Sequence, residues 1–69
     1  MNLSKNATTL LNCPKFNKTS NKRGWVVLDQ QYANELGMSL NDLFDAAEEL
    51  IYEYLAAWVN AAHTHLEKL

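Results

Sequence analysis

His63 and Glu67 stand four residues apart, a spacing that would bring an imidazole and a carboxylate together on one helix face to hold a metal ion. His65, two residues from each, points elsewhere on such a helix. Two ligands do not close a site, so neither a metal nor a cofactor is expected. Cys13 is the only cysteine, which excludes an internal disulfide and fits a reducing compartment. No Ser, His and Asp grouping and no Gly-rich phosphate loop is present, and the abundant acids imply no pocket. Catalysis is not expected. Phe44, Tyr52, Tyr54 and Trp58 read as core and interface rather than as a cofactor box.

What remains is the chemistry of charge. Residues 1–28 carry Lys5, Lys15, Lys18, Lys22 and Arg23 with no acid, whereas residues 29–69 carry eight acids against the single base Lys68. The formal net charge of −2 conceals this division. A basic stretch suits phosphates, and Phe16 within it or Trp25 beside it could stack on a base. The acids Asp42, Asp45, Glu49 and Glu53, three or four residues apart, suit a basic protein surface. Glu48 belongs to the same run.

The elements that must hold these groups follow from composition and spacing. From Met1 to Lys22 the chain is rich in Asn, Lys, Thr and Ser, with Cys13-Pro14 interrupting any regular element, so residues 1–22 are expected to form a basic polar arm. Trp25 to Leu28 is a short β-prone run. Asp29 can cap a helix from Gln30 to Leu36 that Gly37 ends. Ser39 or Asn41 can cap a second helix, and from Leu40 to Leu69 there is neither Gly nor Pro. This last stretch is expected to be one helix of roughly thirty residues, about 40 Å long. Its apolar seam runs in steps of four and three through Leu40, Phe44, Ala47, Ile51, Tyr54, Trp58, Ala61 and His65, with a second stripe through Leu43, Leu50, Leu55, Val59, Ala62, Leu66 and Leu69.

The expected fold class is thus mainly α, a short N-terminal strand followed by a short helix and one long helix, with residues 23–69 as a dimerisation domain. A chain this small has little to cover so wide an apolar face. A homodimer is expected through Phe44, Ile51, Tyr54, Leu55, Trp58, Val59, Ala62 and Leu66, unless a break near Asn60 folds Ala61 to Leu69 back as a hairpin. The start of the chain holds no unbroken apolar run, and no window approaches the ~20 apolar residues of a membrane span, so a cytoplasmic protein with no membrane partner is expected.

Residues 25–55, from Trp25-Val26-Val27-Leu28-Asp29 through Gly37-Met38-Ser39-Leu40-Asn41-Asp42 to Leu55, resemble the ribbon-helix-helix family of small dimeric DNA-binding regulators. The resemblance implies that the strand pairs with its twofold mate and lies in the major groove of double-stranded DNA. It also implies a phosphate clamp at the amides near Ser39 and Asn41. Lys15, Lys18, Lys22, Arg23 and Trp25 would then supply groove and phosphate contacts. The same turn also resembles a helix-turn-helix through Ala33, Leu36, Gly37, Ser39 and Leu43, but its recognition helix would turn carboxylates to the phosphates. The alternative expectation is a phage or plasmid accessory inhibitor that presents the acidic helix, as a mimic of DNA, to a basic surface of a host protein.

Overall fold

The long helix expected to run from Leu40 to Leu69 stops at Tyr52. A computed structural model describes residues 2–19 and 24–69, and among these four short helices pack on a three-stranded antiparallel sheet. The helices are Lys5–Leu11 (α1), Pro14–Asn17 (α2), Gln30–Leu36 (α3) and Leu40–Tyr52 (α4); the strands are Val26–Val27 (β1), Ala56–Trp58 (β2) and His65–Lys68 (β3), in the order β1-β3-β2. The fold is mixed α/β, not mainly α, and its strands lie at the end of the chain as well as before α3.

The physical reason for the early stop is a Schellman-type ending without glycine. The Leu55 amide donates to the Leu50 carbonyl at 2.8 Å and the Tyr54 amide to the Ile51 carbonyl at 3.0 Å, while Tyr54 takes a left-handed φ of 60°. α3 ends by the same pair of bonds, Met38 to Ala33 and Gly37 to Asn34, but there Gly37 occupies the left-handed position at no steric cost. Tyr54 bears that cost with its side chain 85% exposed, so little packing depends on it. Tyr54→Gly is therefore expected to raise stability by about 1 kcal/mol in urea unfolding, leaving the fold unchanged.

Beyond Tyr54 the chain forms a hairpin. Asn60 pins its loop: the side-chain carbonyl accepts from the Thr64 and His65 amides, each at 3.1 Å, and the side-chain amide donates to Thr64 Oγ1 at 2.8 Å. The register places Val26 opposite Leu66 and Leu66 opposite Trp58, so one row crosses all three strands.

That row faces the helices. Val26, Leu28, Ala56 and Leu66 are buried against Leu43, Ala46, Ala47 and Leu50 of α4, with Ala7, Leu10, Phe16, Tyr32 and Ala33 completing the core. Residues 5–19, part of the 1–22 stretch expected to be a basic polar arm, thus supply three fully buried side chains, Ala7, Leu10 and Phe16. Ser4 caps α1 by accepting from the Ala7 amide at 3.1 Å, and Pro14 ends the regular run only to start α2, where its missing N–H is no loss. The buried Thr19 hydroxyl donates to the Phe16 carbonyl and accepts from the Lys68 amide, each at 2.7 Å, tying α2 to the end of β3. On the outer face of the sheet stand Trp25, Val27, Ala57, Val59, His65 and Glu67.

Candidate functional site

α4 is the most highly charged element, and its capping explains why it begins where it does. The Ser39 hydroxyl accepts from the Asp42 amide at 3.1 Å, and Asp42 lies in the first turn, where the helix dipole favours a negative charge. The helix buries Leu43, Ala46, Ala47 and Leu50 along one side, and this fixes where its carboxylates go. Asn41, Asp45, Glu48 and Tyr52, spaced by four, three and four, form the outermost stripe, all exposed. Tyr52 is 82% exposed, an aromatic ring set beside two carboxylates.

The acids expected to make one stripe are in fact divided. Asp42, Glu49 and Glu53 line the side of α4 that meets α1, and the Glu49 carboxylate accepts from the Ser4 amide at 2.6 Å. Glu49 and Glu53 are only half-exposed, Glu53 as the residue that closes the helix. On the opposite flank Phe44 packs against Trp58, ring centroids 6.4 Å apart, with Ile51 one turn further along. Glu48 follows Phe44 by four residues and precedes Ile51 by three, so it borders that apolar flank. Glu48 and Tyr52 complete the exposed stripe. The register of the buried Leu43 and Leu50 would have singled them out had the helix end been known.

The expected dimer residues are scattered. Leu66 is in the chain's own core, Phe44 and Trp58 pack on each other, Ile51 and Leu55 are half-buried at the rim of the core, and Tyr54, Val59 and Ala62 are exposed in turns or on the outer sheet face. A seam along one long helix is therefore not what joins them.

The expected nucleic-acid contacts are no closer together. Lys22 and Arg23 lie outside the described residues. Lys15 holds its ammonium 5.1 Å from the centroid of the Tyr32 ring, Lys18 is exposed at the end of α2, and Trp25 meets His65 edge-on at 5.7 Å on the outer sheet face. Ser39 and Asn41 sit at the start of α4, with Ser39 occupied as its cap. Tyr32 donates its hydroxyl to Cys13 Sγ at 3.3 Å. Burial, then this bond and the nearby Cys13 and Glu35 charges, push that hydroxyl far above the usual phenol range.

His63 and Glu67 are not on one helix face. His63 has a left-handed φ of 58° in the hairpin loop and stacks on Trp58 with ring centroids 5.0 Å apart, whereas Glu67 lies in β3. Among the described residues no three His, Cys, Asp or Glu side chains converge, and no helix is long and apolar enough to cross a membrane. Compared with family models, curated proteins and solved structures, the chain matches none.

Proposed function

We propose that this chain is a protein-binding module that presents the outer face of α4 to a basic surface on another protein, in the manner of an accessory inhibitor. The observation that carries this reading is the exposed stripe Asn41, Asp45, Glu48 and Tyr52, on a helix that holds acids and no base. Carboxylates kept in water at no folding cost steer a basic partner towards them, and the aromatic ring of Tyr52 at the end of the stripe supplies the anchor that charge alone does not. The ribbon-helix-helix reading has less support. Its ribbon consists of β1 and a twofold mate alone, whereas here β1 is the edge strand of a sheet with β3 of its own chain.

The test begins with a photo-crosslinking residue in place of Tyr52, which identifies the partner in cells; binding is then measured with that partner purified. Replacing Asp45 by Asn and Glu48 by Gln is expected to slow association at least tenfold at low salt and to flatten its salt dependence, with far-ultraviolet helicity unchanged. A partner bound equally well by the variant would reject the proposal. So would tight binding to random duplex DNA that weakens steeply with salt, the mark of phosphate contacts.

A further inference from the structure

The sheet packs on helices through one face, while its outer face carries Trp25, Val27 and Val59, which are 54%, 41% and 44% exposed. Val27 lies opposite His65, and the Val59 amide donates to the His65 carbonyl at 2.8 Å, so one outer row crosses the three strands as Val27, His65 and Val59. Carried one residue back along β1, the register sets Trp25 opposite Glu67, which itself lies opposite Ala57 of β2. The Leu28 amide donates to the Thr64 carbonyl, so His65 and Glu67 are the non-hydrogen-bonded positions towards β1, where facing side chains come closest. Trp25 and Glu67 are therefore neighbours, and the indole also meets the His65 ring edge-on. A sheet buries each apolar face against a further layer, and an exposed apolar patch marks an interaction site. Three strands about 4.8 Å apart make a strip roughly 10 Å across, about the diameter of one α-helix.

We infer that this outer face receives an amphipathic helix of a partner protein, whose apolar stripe carries one arginine where it meets Glu67. The charge on the face selects that residue. Glu67 is half-buried, and no lysine or arginine among the described residues shares its side of the sheet, since Lys68 alternates to the side of Leu66. A wholly apolar cover would take the Glu67 carboxylate out of water unpaired, at a high cost. An arginine in the stripe restores a pair, and its planar guanidinium can lie on the Trp25 indole while it donates to Glu67. Val27 and Val59 supply apolar area beyond that pair. The acidic stripe of α4 faces away from the sheet, because α4 turns Leu43 and Leu50 to the inner row. The two contacts are therefore separate, and each can fail without the other.

The probe is a stapled helical peptide of about four turns with leucines along one stripe and a single arginine at its centre, compared with the same peptide carrying leucine in place of the arginine. Titrations are followed by the resonance of the Trp25 indole N–H. The arginine peptide is expected to bind below about 1 mM, to shift that resonance, and to bind about tenfold more tightly than the leucine peptide. Glu67→Gln is expected to abolish the preference for arginine with far-ultraviolet circular dichroism unchanged, and Trp25→Ala to weaken the arginine peptide about tenfold. Asp45→Asn with Glu48→Gln is expected to leave the preference in place. Equal binding of the two peptides, no binding at about 1 mM, or a preference that survives Glu67→Gln but is lost in the α4 variant would overturn the inference. So would self-association in sedimentation that Trp25→Ala abolishes, which would put a second copy on this face, or a single-stranded oligonucleotide that shifts the Trp25 resonance at lower concentration than the arginine peptide does.

Discussion

Deleting residues 1–19 is expected to unfold the protein, and Phe16→Ala alone to cost about 3–5 kcal/mol. Phe16, Leu10 and Ala7 are all without solvent exposure, packed among residues of α3, α4 and the sheet. A chain of this size has a total stability of about 3–10 kcal/mol, so one emptied aromatic site removes a large share of it. The deletion goes further, since it strips α1 from the flank of α4 and removes Ala7, Leu10 and Phe16 from the core together. Far-ultraviolet circular dichroism of the deletion and urea unfolding of Phe16→Ala check this directly. Full helicity in α4 after the deletion would mean that the first nineteen residues are the detachable arm their composition suggests.

That segment was hard to read because its helical signals are short. Apolar residues occur at Ala7, Leu10 and Leu11 among polar neighbours, and α1 is stabilised by the Ser4 cap and by packing on α4 rather than by propensity. The middle of the chain was legible for the opposite reason. Asp29 and Ser39 are caps, Gly37 is a left-handed stop, and each signal is local, so the start of α3, the turn and the start of α4 lie where the residues put them. The end of α4 depends on Tyr54, which adopts the backbone of a glycine and leaves no mark in the sequence. After it, Ala56, Ala57, Ala61, Ala62, Glu67 and Lys68 favour a helix by propensity, yet the chain forms strands because Leu66, Ala56 and Trp58 reach the core only across a sheet. The acids of α4 were visible as a group. Their division into a flank against α1 and an outermost stripe needed the burial of Leu43 and Leu50 to fix the rotation of the helix.

Leu66→Ala is expected to lower stability by about 2–5 kcal/mol, whereas Val59→Ala, in the same hairpin, should cost under about 1 kcal/mol. Leu66 has no solvent exposure and lies in the central strand, opposite Val26 on one side and Trp58 on the other, so its loss leaves a cavity between the sheet and α4. Val59 is 44% exposed on the outer sheet face and leaves none. On one continuous helix both would belong to the same stripe and to the same intermolecular seam. The two architectures therefore differ in how the melting temperature depends on protein concentration. A core closed within one chain gives the same melting temperature in melts run a hundredfold apart in concentration, because unfolding a single chain involves no association. A seam between chains would give a melting temperature that rises with concentration. Equal costs at Leu66 and Val59, or a concentration-dependent melt, would place Leu66 between molecules and remove the central row on which the sheet is built.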